Sequence, residues 1–265
     1  MPLTPLQART LRTIACNRSP ESYVAGATLL HRGETSPRFS RDVDVFHDVA
    51  DSVAVCAEVD ADTLQSVGYE LTWILRTPSF YRAVLAADGE QLRIEWAQDS
   101  AFRFFPVVED DECGYRLHEA DVAVNKVLAL AGRQEPRDYV DTLHLHRTYL
   151  HLGALVWAAC GKDPGYTPTF LLEQAAQHVA YAQADVDRLS LREPLSVTSL
   201  KETWVGARDE AHRLVGSLPP EEVGCLYLDA AARPTSPDPS VPEFLQLTRH
   251  RGTVRGAWPT LGSRA

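Results

Sequence analysis

The chain has 265 residues, 45% of them hydrophobic and 23% charged, enough for one large or two small folded domains with an ample core. No apolar run approaches the roughly 18 residues of a membrane span, and Met1-Pro2-Leu3-Thr4-Pro5 lacks the basic-then-apolar order of a secretory leader, so a cytoplasmic protein with no membrane partner is expected. The formal net charge of -10 disfavours a stoichiometric nucleic-acid coat, which needs Lys and Arg to displace counterions, but leaves room for a transient encounter through a local basic patch.

In chain order, Leu6 to Cys16 carries Leu6, Leu11, Ile14 and Ala15 on one side of a predicted helix, ended by Asn17-Arg18-Ser19-Pro20. Tyr23-Val24-Ala25 reads as a short strand, with Gly26-Ala27-Thr28 at its end, where Gly26 suits a tight turn or a close approach of backbone to ligand. His31 to Arg41 contains Gly33 and Pro37 and reads as a loop bearing Arg32, Arg38 and Arg41. It feeds the strand Ser40-Arg41-Asp42-Val43-Asp44-Val45-Phe46. Strand side chains alternate faces, so Asp42 and Asp44 share one face while Val43 and Val45 back onto a core. Two like charges so close need a cation, and oxygen ligands of this kind suit a divalent metal; taken alone, the pair reads first as a half-buried edge strand with a solvated acidic face.

A helix follows over Ala50 to Val67, then strands over Tyr69 to Leu75, Phe80 to Ala86 and Gln91 to Ala97. Asp88-Gly89 is a two-residue hairpin turn joining the last two. In the third strand Leu92, Ile94 and Trp96 alternate with Arg93, Glu95 and Ala97, which puts Glu95 on a polar face. If the strands are neighbours, Glu95 is a natural third metal ligand, with Asp99 as the fallback.

From Glu119 the pattern is helical. Asp121 to Ala131 stops at Gly132, and Lys126 lies among Val122, Ala129 and Leu130, from where its ammonium reaches either water or a phosphate. A second helix begins after Pro136, with Asp138 and Asp141 on one face and Arg137 four residues before Asp141. His144, His146 and His151 have spacings that do not stack metal ligands on a helix. Leu155 to Cys160 continues the helical region; Lys162-Asp163-Pro164-Gly165 is a turn, and helices are predicted from Thr167 to Tyr181 and from Leu200 to Leu218. Cys225 to Leu228 reads as a late strand, and from Arg233 the chain is proline-rich, then basic at Arg249, His250, Arg251 and Arg255. Five scattered cysteines, none in a C-x-x-C pair, point to reduced thiols rather than a zinc ribbon or disulfide framework.

Four motifs stand in a fixed order: Gly26-Ala27-Thr28, Arg38-Phe39-Ser40-Arg41-Asp42-Val43-Asp44, Lys126-Val127-Leu128-Ala129-Leu130 and Arg137-Asp138-Tyr139-Val140-Asp141. Together they resemble the DNA polymerase β-like nucleotidyltransferases, and more closely the AbiEii/MenT toxin family among them. Ala27 departs from the family's usual second glycine or serine, which puts the turn's triphosphate contacts in question.

The resemblance implies an α+β fold: a nucleotidyltransferase domain over 1–118 with a mixed sheet and flanking helices, a helical domain over 119–230 completing the active-site cleft, and a tail over 231–265. It implies Asp42, Asp44, Lys126 and Asp138 as catalytic residues, and Mg²⁺, as a two-ion site, on Asp42, Asp44 and Glu95. It further implies an NTP held by Gly26, Thr28, Arg38, Ser40 and Lys126. The expected acceptor is the 3′ end of tRNA, and the expected partner is an antitoxin encoded alongside. The alternatives are a protein or small-molecule acceptor such as an aminoglycoside, or a catalytically silent NTP-binding module.

Overall fold

The computed structural model describes residues 3–33, 36–177 and 179–259; Met1 and Pro2 of the expected leaderless start, and residues 260–265 of the expected tail, lie outside them. The chain forms two compact units, one of residues 1–101 and 106–122, the other of residues 102–105 and 123–265.

The first unit opens with α1 (Pro5–Ile14), which begins where the side chains allow. Thr4 Oγ1 accepts from Gln7 N at 3.1 Å while Gln7 Oε1 accepts from Thr4 N at 2.9 Å, a reciprocal cap, and Pro5 sits where its missing N–H costs nothing. Then come β1 (Ser22–Ala25), α2 (Gly26–Leu30), β2 (Asp42–His47), α3 (Ala50–Ser66), β3 (Glu70–Thr77), β4 (Phe80–Ala87) and β5 (Glu90–Gln98). The short β6 (Phe102–Arg103) belongs to the second unit, and β7 (Val108–Asp110) and β8 (Gly114–Arg116) return to the first.

These strands make a seven-stranded mixed sheet in the order β3-β4-β5-β2-β1-β8-β7, with β2 parallel to β5, β1 parallel to β8 and the other pairs antiparallel. The β4–β5 hairpin turns on Asp88 and Gly89, both at positive φ (53° and 80°), as a two-residue turn of the right twist requires. One face of the sheet is apolar. Val43, Val45, Ala83, Leu85, Ile94 and Trp96 form a core with Leu6, Leu11 and Ile14 of α1 and Val53, Ala57 and Leu64 of α3. Period-2 alternation then leaves the other face of β2 and β5 to their charged residues.

An ion pair is enclosed in that core. Asp60 of α3 and Arg18 are both fully buried, 2.5 Å apart, and Asp60 also accepts from Trp96 Nε1 at 2.7 Å and Asn17 Nδ2 at 2.9 Å.

The second unit contains most of α4 (Glu119–Gly132), then α5 (Pro136–Thr148), α6 (Leu152–Lys162), α7 (Pro168–Gln177), α8 (Gln183–Asp187), α9 (Val197–Ser217), and the strands β9 (Cys225–Leu228), β10 (Thr248–Arg251) and β11 (Thr253–Val254). The mixed sheet with flanking helices and the helical remainder both match the expected α+β class. Helix α9 starts three residues earlier than expected because Ser196 caps it, accepting from Ser199 N at 3.4 Å, and α7 stops at Gln177, short of Tyr181. The basic segment is folded in rather than left as a free tail: β10 pairs with β9, Arg249 meets Glu222 at 2.8 Å, and the His250 ring contacts the Phe104 carbonyl at 2.7 Å. All five cysteines are free thiols, and Cys113, Cys160 and Cys225 are buried. No helix among the described residues is long and apolar enough to cross a membrane.

Candidate active site on an acidic sheet face

The parallel pairing of β2 with β5 sets Asp42 beside Arg93 and Asp44 beside Glu95. Asp42, Asp44 and Glu95 therefore occupy neighbouring positions on one sheet face, opposite the core of Val43, Ile94 and Trp96. The antiparallel β4–β5 pairing adds Arg82 directly across from Glu95.

The carboxylates meet arginines. Arg93 Nη2 donates to Asp42 Oδ2 at 2.5 Å, Arg93 Nε lies 3.3 Å from Glu95 Oε1, and Arg82 Nε donates to the same oxygen at 2.8 Å. Unlike the core pair, these side chains reach solvent: Arg93 is 39% exposed and Arg82 35%. Among the described residues no three His, Cys, Asp or Glu side chains stand gathered as a ready metal cage, in keeping with Glu95 being turned onto its two arginines. The donor set still suits a hard divalent cation. It offers carboxylate oxygens on adjacent positions, and a guanidinium already sits where positive charge is needed.

On the other side of β2, Ala25 pairs with Asp44, and Gly26 opens α2 at φ 70°. A Cβ there would overlap Asp44 Oδ2, so this position needs glycine both for its conformation and for its closeness to the carboxylate. The sequence pointed to a turn; the structure makes Gly26 the first residue of a one-turn helix packed on Asp44.

Thr28 and Ser40 were expected to face a ligand, but both are buried and hold the backbone of the first aspartate. Thr28 Oγ1 donates to the Asp42 carbonyl at 2.5 Å, and Ser40 Oγ donates to the same oxygen at 3.1 Å. Gln7 Nε2 donates to the Ser40 carbonyl at 3.1 Å and to the Asp42 carbonyl at 3.5 Å. The motif's hydroxyls thus fix where Asp42 starts its strand. Arg38 is also buried, with Nη1 donating to the Phe39 carbonyl at 3.2 Å. Asp99, the fallback acid, lies past the end of β5; its backbone N–H donates to the His47 carbonyl at 3.0 Å, and its Oδ1 accepts from Ser100 N at 2.7 Å.

In the second unit Lys126 points neither to water nor outward. Its buried ammonium lies 3.1 Å from Asp138 Oδ1 and 3.0 Å from Asp141 Oδ2, and Arg133 Nε reaches Asp138 Oδ2 at 2.7 Å. Asp141 thus meets Lys126 of the neighbouring helix. Burial works to raise the Asp138 carboxyl's pKa, but Lys126 and Arg133 outweigh it and hold the group below the ordinary carboxylate value. His146 is tied into the helical framework, its Nδ1 accepting from Leu152 N at 3.1 Å.

Sequence reasoning passed over the arginines. Arg93 was readable as the polar-face neighbour of Glu95 by period 2, and Arg82 from the two-residue Asp88-Gly89 turn, which fixes the hairpin register. Arg133 gave no signal before its partner was in view.

No protein-family model matches the sequence, and no curated protein does either. Solved structures do. MenT4, a nucleotidyltransferase toxin from Mycobacterium tuberculosis, aligns at 15% identity with a TM-score of 0.57, over 82% of this chain and 83% of its own. JHP933 from Helicobacter pylori aligns at 16% identity with a TM-score of 0.51, over 81% of this chain and 95% of its own. Identities this low speak for architecture, and the architecture is shared over most of both chains: this chain has the nucleotidyltransferase fold, of the kind that MenT4 carries.

Proposed function

We propose that the protein is a Mg²⁺-dependent nucleotidyltransferase that moves a nucleoside monophosphate from an NTP to an acceptor hydroxyl, the 3′ end of a tRNA. The observation that carries this reading is the adjacency of Asp42, Asp44 and Glu95 on one sheet face, with Gly26 turned against Asp44. Asp42, Asp44 and Glu95 would hold the metal, which supplies charge neutralisation for the attacking and leaving oxygens of an in-line displacement. Gly26, with no side chain and its backbone against Asp44, would lie beside the phosphates. Glu95 takes the proton of the acceptor hydroxyl as its oxygen forms a bond to the α-phosphorus and the bond to pyrophosphate breaks. Lys126 and Arg38 would supply positive charge toward the triphosphate, with Asp138 orienting the Lys126 ammonium. The likeness to a nucleotidyltransferase toxin supports a toxin role, checked by an antitoxin encoded alongside.

Incubation with labelled NTPs, Mg²⁺ and total tRNA tests the reading. Label should enter the tRNA with wild type and fall by about a hundred- to a thousandfold for Asp42→Ala or Asp44→Ala, the scale seen when a transition-state contact is removed. Absence of transfer by the wild type, or equal transfer by both variants, would overturn it.

A further inference from the structure

The sheet order β5-β2-β1 gives the carboxylates two unlike flanks. On the β1 side lies Gly26, bare of side chain against Asp44. Where β2 and β5 begin, beside Asp42 and Arg93, lies a cavity of about 450 Å³ lined by Thr4, Gln7, Arg41, Asp42, Gln91 and Arg93 among others. Two arginines and several amide and hydroxyl groups line it together with the Asp42 carboxylate and the apolar Leu92, on a protein whose net charge is -10. A concentration of Arg and Gln around an opening next to an acidic pair suits an anion with several acceptor oxygens. Arginine's planar fork matches a phosphate in two-point geometry.

We propose that this cavity is a phosphate subsite for the acceptor strand, with Arg93 and Arg41 as its cations. The inference rests on the nucleotidyl-transfer reading and deepens it. In-line displacement needs the attacking oxygen opposite the departing pyrophosphate. With the triphosphate beside Gly26 on the β1 flank, the acceptor comes from the β5 flank, which bears Glu95 and, two residues toward the strand start, Arg93 at the mouth of the cavity. Arg93 is the hinge of the arrangement. Without substrate its guanidinium neutralises Asp42 at 2.5 Å; a phosphodiester in the cavity offers the same negative charge, and the 39% exposed side chain turns from one to the other.

Binding measurements separate this subsite from the transfer reading. The probes are a fluorescein-labelled single-stranded oligoribonucleotide with a free 3′-hydroxyl, and ATP with Mg²⁺, each titrated against wild type, Arg41→Gln, Arg93→Gln and the double variant. Thermal melting confirms that each variant is folded, and the exposed Arg41→Gln keeps the test open should Arg93→Gln fail to fold. Oligoribonucleotide affinity should fall about tenfold or more in the double variant, as expected when charge-assisted hydrogen bonds are removed. The dependence of log affinity on log salt should flatten by about 0.7 for each phosphate that is no longer neutralised. ATP affinity should change less than about twofold in Arg41→Gln, whose side chain is not placed at the metal or the triphosphate, well under the tenfold that removal of a charged hydrogen bond produces. Unchanged oligoribonucleotide affinity and salt slope in every folded variant would overturn the subsite, as would no oligoribonucleotide binding by the wild type. A loss confined to ATP would overturn it too, by moving the arginines to the triphosphate side. Wild type that binds the oligoribonucleotide through these arginines but transfers no label sinks the transfer reading while leaving the anion site standing.

Discussion

The sheet of the first unit carries an arginine–aspartate pair on each face, and the two differ in one respect. Arg18 and Asp60, on the core face, are wholly buried and are further held by Trp96 and Asn17. Arg93 and Asp42, on the other face, are of similar length but remain partly open to water, at 39% and 12% side-chain exposure. The first arrangement is closed: its charges cannot change partners without unfolding their surroundings. The second can exchange a guanidinium for another cation, or a carboxylate for another anion, at small cost. Surface pairs of this kind contribute about 0–1 kcal/mol, whereas breaking a buried one costs several. The Lys126–Asp138–Asp141 cluster of the second unit is buried like the first pair, although its residues match a motif expected to act in catalysis.

The contrast can be broken or sharpened by substitution. Asp60→Ala should have the largest effect, about 3–5 kcal/mol lost in urea unfolding, because Arg18 is left buried without its counter-charge. A loss under about 1 kcal/mol, the range of exposed pairs, would show that the core pair is no more locked than Asp42 with Arg93.

Acid should act next. His47 is fully buried at the end of β2 with neither ring nitrogen hydrogen-bonded, and burial, reinforced by Arg18, lowers its pKa to about 4. The unfolded chain takes up this proton near pH 6.5, so the folded state loses stability as pH falls from about 6.5 toward 4. The loss should total roughly 3 kcal/mol. His47→Leu should flatten the stability curve over that window, and an unaltered slope would mean that another group is titrating.

Gly26→Ala should cost about 1–2 kcal/mol, since alanine must adopt φ 70°. Its Cβ must also displace Asp44, so NTP binding, read by calorimetry, should weaken along with the melting temperature. Wild-type nucleotide affinity in a folded Gly26→Ala protein would separate Asp44 from the nucleotide.

The smallest stability change should come from Asp42→Asn and Asp44→Asn, within about 1 kcal/mol of wild type in the same urea assay. A loss approaching that of Asp60→Ala would place these acids among the groups that hold the fold together and remove the contrast between the two faces.

Much of this contrast is present in the linear chain. Alternation in Asp42-Val43-Asp44-Val45 and in Leu92-Arg93-Ile94-Glu95-Trp96 assigns carboxylates and core residues to opposite faces, because side-chain direction in a strand is local. The Asp88-Gly89 turn fixes Arg82 opposite Glu95, since a two-residue hairpin permits one register. Gly132 and Pro136 mark where α4 ends and α5 begins, through backbone limits that need no tertiary contact. Other features have no local cause. The parallel contact of β2 with β5, which sets Glu95 beside Asp44, joins segments some fifty residues apart and is decided by how α3 and the β3–β5 meander fold back over a shared core. Burial of Thr28 and Ser40 beneath Asp42, the capture of Lys126 by two aspartates, and the pairing of the basic segment Thr248–Arg251 with β9 arise in the same way. Sequence determined which residues could bear charge on which side of an element; only the tertiary structure decided which charges meet, because that depends on contacts between distant segments.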